Sequence, residues 1–404
     1  MRNIYILDEF QSAKQNGLGV FVKELANFLK KEFNIFILYT NSDIDEFSIE
    51  EKQGITLYHI PSTHRYPFSD DAEVINLFIS LWIKDGVDNV FIVNHSPCTQ
   101  LLASLKETHP FSKIVFVIHD LPWRSILNGD IDKYKKIIVN KKKKAIQIKY
   151  NNLLNIFENE LKFLSLADKV VCLTKDTQKL LLSTYQLDTN KVILINNGLS
   201  EHCYNKDTTE RELIKKYHIK RNEKILLYVG RVNKMKGGIA LLKCFNNVIN
   251  EFPNCRLVVL GNLNGGEFLN QIGNAMCKVS FTGHLKKEDV YRWYSIAHIG
   301  LITSYAEQCS YSAIEMMLHG LPIVASDGYG VRNMFKHQQN ALVAKIGNRQ
   351  NDDEYCKNLS FSIIKLLKYG DLRKRLGGVN RTLFENTYRV EHMGTKYKHL
   401  INSL

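Results

Sequence analysis

Short apolar runs alternate with amphipathic stretches along the whole chain. Asn3–Asp8, Asn34–Thr40, Ile55–Ile60, Asn89–Asn94, Lys113–His119, Lys169–Thr174 and Lys191–Asn196 are rich in β-branched and aromatic residues. Between them Leu18–Lys31, Asp71–Asp85 and Cys98–Glu107 carry apolar residues at helical spacing, and a long basic helical stretch follows His119. Strands apolar on both faces and separated by helices predict a parallel sheet covered on both sides. The scheme then repeats with different residues. Strands are expected at Lys224–Val229, Arg256–Leu260, Lys278–Thr282, Ile299–Thr303, Pro322–Ser326 and Ala341–Lys345. Helices are expected near Gly237–Glu251, Lys286–Tyr294, Tyr311–His319, Asp353–Lys368, Asp371–Asn386 and Val390–Asn402. The polar stretch Asn197–Thr209 has no period and reads as a linker. The pattern therefore predicts an α/β chain of two doubly wound Rossmann-like domains facing each other across a cleft.

Composition narrows the classes. The chain has 404 residues, 45% hydrophobic and 24% charged, the range of an ordinary globular protein. Its longest apolar runs, such as Ile114–Ile118 and Ile225–Val229, fall far short of the roughly 18 residues a membrane helix needs. The first residues enter a strand and meet Asp8 and Glu9, so no secretory leader is expected. Cysteines 98, 172, 203, 244, 255, 277, 309 and 356 are scattered without a CxxC, which argues against a zinc ribbon or a disulfide scaffold and for a cytoplasmic chain. Residues 1–200 hold 24 basic and 23 acidic side chains, whereas 201–404 hold 30 and 18. A basic second half suits an anionic ligand such as a nucleoside diphosphate, a polyanion or a membrane surface. Charge alone does not choose among them.

In doubly wound sheets ligands bind outside the carboxyl ends of the strands, so the loops there carry the chemistry. The first such loop reads Asn16-Gly17-Leu18-Gly19 and runs straight into a helix, where glycines let an anion approach free N–H groups. Val22 occupies the third glycine position of a dinucleotide fingerprint, and a plain tight turn accounts for these glycines equally well. More specific is Gly230-Arg231-Val232-Asn233-Lys234-Met235-Lys236-Gly237, which follows a strand and opens a helix. Two cations five residues apart beside a helix N-terminus can hold a diphosphate and stabilise its departure. The most informative string is Ser304-Tyr305-Ala306-Glu307-Gln308-Cys309-Ser310-Tyr311-Ser312-Ala313-Ile314-Glu315. Glu307 leaves a strand, Glu315 lies two turns further on, and the N–H groups of 308–311 point from the positive end of the helix. One carboxylate can meet a polyhydroxylated ring and the other a ribose diol, with phosphates between them.

Taken in order, these features resemble the GT-B glycosyltransferases, specifically the large retaining group called family 4. The resemblance rests on Gly17/Gly19, His119-Asp120 after a strand, Asn197-Gly198 at the linker, and Gly230-Arg231 with Lys236-Gly237. Glu307-x7-Glu315 and the following Gly-Leu-Pro-Ile-Val-Ala-Ser complete it, so that it spans residues 3 to about 335. It implies domains at 1–200, taking the acceptor, and 205–385, taking a nucleotide-sugar donor, with a C-terminal helix over 386–404 packing back on the first. It further implies that Gly230, Arg231 and Lys236 hold the diphosphate, Glu315 the ribose, and Glu307 and His119 the donor sugar. Leu285 would pack on the base, residues Gln308, Cys309, Ser310 and Tyr311 would line the donor, and Gly17 and Gly19 would face it from the other domain. Members keep anomeric configuration without a metal, so no cofactor is expected beyond a donor such as a UDP- or GDP-sugar. Asp43-Ile44-Asp45 and Asp130-Ile131-Asp132 read as the metal motif of a different glycosyltransferase fold and are taken as incidental.

The sequence departs from the family in replacing the usual Glu-Gly-Phe-Gly by Glu307-Gln308-Cys309-Ser310, which removes the glycine beside the sugar. Asn333 stands where an acid is common, and Lys133–Lys149 packs eight lysines into seventeen residues. That stretch suits an anionic membrane surface at the inner face, an acidic peptide or a polysaccharide, and a solvated helix face explains it as well. It lacks the arginines and stacking aromatics of a nucleic-acid surface. The acceptor is left open among a glycan, a lipid-linked substrate and a peptide. Two other readings compete: a sugar-nucleotide epimerase or phosphorylase, and a silent nucleotide-sugar binding subunit.

Overall fold

The structure is a computed structural model that describes residues 1–9, 17–42, 44–61, 71–94, 99–201, 212–262 and 272–404. Asn16, Asp43, Cys98, Cys203 and residues 202–209 of the expected linker lie outside the described residues. Contacts divide the chain into two compact units, 1–123 with 132–198 and 390–404, and 124–131 with 199–389.

The first unit holds an eight-stranded sheet in the order β3-β4-β2-β1-β5-β6-β7-β8. Its strands are β1 (Asn3–Glu9), β2 (Asn34–Ser42), β3 (Ser48–Lys52), β4 (Ile55–Pro61), β5 (Asn89–Val93), β6 (Lys113–Ile118), β7 (Lys169–Cys172) and β8 (Val192–Leu194). The central strands are apolar on both faces, with Ile4, Ile6, Val90, Ile92, Val115 and Val170 inaccessible to water. They pair in parallel, Leu7 opposite both Leu38 and Val93. The exception is β3, which runs antiparallel to β4 at the sheet edge. The apolar pattern does not announce it, because Ser-Ile-Glu-Glu-Lys exposes every residue.

Helices α1 (Gly17–Leu29), α2 (Asp71–Trp82) and α3 (Thr99–Thr108) fall close to their expected places. The basic stretch resolves into α4 (Trp123–Ile126), α5 (Ile131–Val139) and α6 (Lys144–Leu166), with non-helical dihedrals at Tyr150 inside the last. Helix α7 (Lys175–Ser183) is not foreseen by the periodicity, although Thr174 caps it by accepting the Thr177 N–H at 3.2 Å.

The second unit is a six-stranded, wholly parallel sheet in the order β11-β10-β9-β12-β13-β14. These strands are β9 (Lys224–Val229), β10 (Cys255–Leu260), β11 (Val279–Gly283), β12 (Ile299–Ile302), β13 (Ile323–Ser326) and β14 (Ala341–Ala344). One face is covered by α8 (Gly238–Glu251) packed against the later α12 (Asp353–Lys368), burying Leu241, Phe245, Leu359 and Ile363 on Leu226, Leu257 and Leu301. Each such side chain contributes roughly 1.5–3 kcal/mol. The remaining helices are α9 (Lys287–Ile296), α10 (Tyr311–Leu318), α11 (Val331–Met334) and α13 (Gly370–Leu383). The helix expected over Asp371–Asn386 stops at Leu383 and continues as a π-turn over Phe384–Tyr388. The chain closes with α14 (Val390–Asn402), which belongs to the first unit and packs on α1. Among the described residues no helix is long and apolar enough to cross a membrane.

Candidate functional site

The β9–α8 loop is held rigidly. Past β9, Gly230 N donates to Leu260 O at 2.9 Å and Val232 N to Asn262 O at 3.2 Å, which ties the loop to the end of β10. The side chain of Asn233 accepts Lys236 N at 2.8 Å, and its carbonyl accepts Gly238 N at 3.2 Å. Gly237 sits between them at φ +65°, and a Cβ there would fall 1.9 Å from Thr303 O. Only glycine satisfies both constraints. The Tyr228 hydroxyl donates to Arg231 O at 2.8 Å from beneath. The Arg231 side chain is exposed on this loop.

The β12–α10 loop is stitched to the first one. Tyr305 N donates to Met235 O at 2.8 Å, and the Thr303 hydroxyl donates to Lys236 O at 2.8 Å. On its other side Glu307 N donates to Tyr329 O at 2.9 Å. The two loops therefore hold Lys236 and Glu307 face to face, with Lys236 Nζ 2.6 Å from Glu307 Oε1. The Ser304 hydroxyl donates to the same oxygen at 2.6 Å. Burial disfavours the charged form of Glu307, yet Lys236, the Ser304 hydroxyl and Arg124 outweigh it and hold the carboxyl below its usual range. The site thus presents a charged carboxylate beside an ammonium at the carboxyl edge of the sheet.

Glu315 occupies a different setting. It lies in the second turn of α10 and is 3% exposed. Oε2 accepts the Tyr294 hydroxyl at 2.8 Å, and Oε1 is paired with Lys287 Nζ, both partners coming from α9. His319 Nδ1 bonds to Glu315 O at 2.9 Å one turn further along. Gln308 and Cys309 are buried, and Tyr311 is the buried first residue of α10. Ser310 occupies the capping position, its hydroxyl 2.9 Å from that of Ser312. Leu285 is partly exposed between β11 and α9.

The residues expected to act together divide between the two units. Gly17 and Gly19 open α1, and His119 follows β6 with its ring edge-on to Phe21 at 4.7 Å, all in the first unit. Lys287, Tyr294, Ser304 and Arg124 are partners that the sequence did not single out. A serine three residues before a strand-end glutamate, and a lysine at the first turn of the helix after Gly283, were the only signals available for two of them.

Two doubly wound sheets, with an ammonium and a carboxylate paired on adjoining loops at the carboxyl edge of the second, put the candidate site where folds of this class bind ligands. Known proteins make the class particular. Residues 15–201 match the Glycosyltransferase Family 4 profile and residues 209–381 that of Glycosyl transferases group 1. The chain belongs to the family 4-like glycosyltransferases and has the GT-B fold. Sucrose-phosphate synthase from Thermosynechococcus elongatus superposes with a TM-score of 0.76 at 16% identity, covering 100% of both chains. Anabaena HepE in complex with UDP-glucose superposes at 0.70 and 15%, again over 100% of both. Spore coat protein SA of Bacillus subtilis is 28% identical over 178 residues, 41% of this chain and 45% of that protein. The chain spans about half the length of the curated relatives it matches.

Proposed function

We propose that the chain transfers a sugar from a nucleoside-diphosphate sugar to an acceptor with retention and without a metal. The observation that carries this reading is the Lys236–Glu307 pair, held at 2.6 Å on two mutually bonded loops at the carboxyl edge of the second sheet. Such a pair has the charges needed at the scissile bond. The ammonium turns to the leaving diphosphate, with Arg231 beside it, and the carboxylate accepts hydroxyls of the donor sugar. Glu315, fixed by α9, takes the ribose diol, Leu285 packs on the base, and residues 308–311 line the sugar. In this reading 205–385 holds the donor and 1–200 the acceptor, with Gly17, Gly19 and His119 serving from the latter. The binding of UDP-glucose by HepE supports a nucleotide-sugar donor.

The acceptor is a glycan, a lipid-linked substrate or a peptide. In this reading the chain is cytoplasmic, and the stretch Lys133–Lys149 is its candidate for a peripheral contact at the inner membrane face. There the side chains of Lys133, Lys136, Lys142, Lys143, Lys144 and Lys149 are exposed, together with Val139 and Ile148. The decisive experiment is calorimetric titration of UDP, GDP, ADP and their glucose conjugates with a chelator present. One nucleotide should bind without metal and lose that binding in Glu315→Ala. Failure of every nucleotide to bind, or an absolute need for a divalent cation, overturns the reading.

A further inference from the structure

The segment Arg124–Ile131 departs from the numbering of its neighbours: residues on both sides of it belong to the first unit, while it belongs to the second. Its seat there is tight. Gly129 adopts φ +68°, and a Cβ at that position would lie 2.5 Å from Tyr305 O and 2.9 Å from Ala306 Cβ. The turn therefore rests directly on the two residues that precede Glu307. Gly129 N donates to Arg124 O at 2.7 Å and closes the turn. Arg349 Nη1 donates to Asn128 O at 2.6 Å, and its guanidinium lies 5.8 Å above the Tyr305 ring. Arg349 thus bridges the segment and the Glu307 loop. At its start stands Arg124, a cation that is only 8% exposed.

We propose that Arg124 is a positioning residue of the donor site, presented by this docked segment to Glu307. The inference rests on the proposed glycosyl transfer. Glu307 is neutralised by Lys236, whose Nζ lies 2.6 Å from Oε1. A diphosphate that claims the Lys236 ammonium would leave a largely buried carboxylate uncompensated, and such a group takes up a proton instead of staying charged. Arg124 removes that conflict. It keeps Glu307 ionised while Lys236 turns to the phosphates, so that the carboxylate can accept sugar hydroxyls. The groups facing Glu307 are consistent with this division: Lys236 and the neutral, buried Tyr228 hydroxyl from the β9 side, the Ser304 hydroxyl from its own loop, and Arg124. Of these only Lys236 and Arg124 carry charge.

The test uses the full chain with Arg124→Ala, Arg124→Lys and Lys236→Ala. Each is titrated by calorimetry between pH 5 and 8 with whichever of UDP, GDP or ADP the wild type binds, and with its glucose conjugate. Arg124→Ala should weaken the glucose conjugate by about tenfold or more while sparing the bare nucleotide. The acid limb of conjugate binding should move to higher pH, and Arg124→Lys should restore most of both. Unchanged conjugate affinity and an unchanged acid limb in Arg124→Ala, with binding lost in Lys236→Ala, overturn this inference and leave the donor site standing. Equal weakening of nucleotide and conjugate with a lowered melting temperature, unrelieved by lysine, assigns Arg124 a merely structural part and overturns it too. A wild type that binds none of the nucleotides overturns both.

Discussion

Two buried glutamates, one in each unit, have opposite fates. Glu160 of α6 is 2% exposed and lies at the end of a chain of hydroxyls. Tyr185 donates to its Oε2 at 2.5 Å and is in turn 2.7 Å from the Tyr134 hydroxyl. Its Oε1 has no hydrogen-bond partner among the described residues. Burial, reinforced by the charge of Asp120, pushes its carboxyl up to about 7 against the Tyr185 bond. Glu307 is also largely buried, yet cations hold it down. Desolvation acts the same way on both, so the difference lies wholly in the neighbours. A cation opposite a carboxylate is not by itself a sign of function, however. Glu223, fully buried at the amino end of β9, is held between Arg256 Nε at 2.9 Å and Lys278 Nζ at 2.5 Å. What distinguishes Glu307 is its place on a βα loop at the ligand edge, with partners that a diphosphate can compete for.

The sharpest way to break the comparison is to remove the cation. Lys236→Ala should cut donor turnover by about 10²–10³-fold, the usual cost of a lost electrostatic group at a developing negative charge. The variant should keep a cooperative thermal transition, because Ser304 and Arg124 still face Glu307. Near-normal turnover, measured as nucleoside diphosphate release, would remove Lys236 from the mechanism.

The converse experiment concerns Glu160. Its folded-state pKa is raised from 4.5 to about 7, so the native state binds more protons than the unfolded chain between those values. Stability contributed by the protonated carboxyl is complete below pH 4.5 and is lost as the pH rises through 7. Glu160→Gln, which carries no charge at any pH, should therefore gain on the wild type by roughly 3 kcal/mol between pH 4 and pH 8. Urea unfolding at the two pH values measures this. A stability difference between variant and wild type that does not change with pH would show that Glu160 titrates alike in the folded and unfolded chain and that burial does not raise its pKa.

Much of this arrangement was readable from residues alone, and the misses have physical causes. Lys224–Val229, Asp353–Lys368 and Val390–Asn402 fall as expected because apolar period and polar boundary coincide there. Strand β3 was invisible because an exposed edge strand buries nothing. In Asp371–Asn386 the helical period continues through Leu383, but the hydrogen-bonding pattern changes to a π-turn without a change of period that a sequence window detects. At the site, Lys236 and Glu307 were recognisable as candidates from their loops. Their pairing across 71 residues was not, since it depends on the Met235–Tyr305 bond that registers the two loops. Arg124 was hidden for a similar reason: only the three-dimensional structure brings its segment to rest on Tyr305 and Ala306.

Within the second unit, Glu307 and Glu315 sharpen the comparison further. Glu307→Gln preserves shape and the Ser304 bond while removing the charge. It should lower turnover by about 10–100-fold with nucleotide affinity changed less than about twofold, as expected of a group that meets the sugar and not the nucleotide. Equal losses of turnover and nucleotide binding would move Glu307 to the phosphate end of the site.

Glu315 should behave in the opposite sense and more mildly. Its Oε2 is fixed by Tyr294 at 2.8 Å and Oε1 by Lys287, so the carboxylate is already oriented before any ligand arrives. Glu315→Gln retains an oxygen for the Tyr294 hydroxyl but weakens the bond to a ribose diol, which is charge-assisted only with the carboxylate. Bare nucleotide and sugar conjugate should both lose about tenfold in affinity, by the same factor, because the ribose is common to them. Lys287→Met tests the same point from α9: it should loosen Glu315 and reduce affinity for both ligands by less than the Gln substitution does. A loss confined to the conjugate in either variant would place Glu315 with Glu307 at the sugar, and the division of labour between the two glutamates would have to be abandoned.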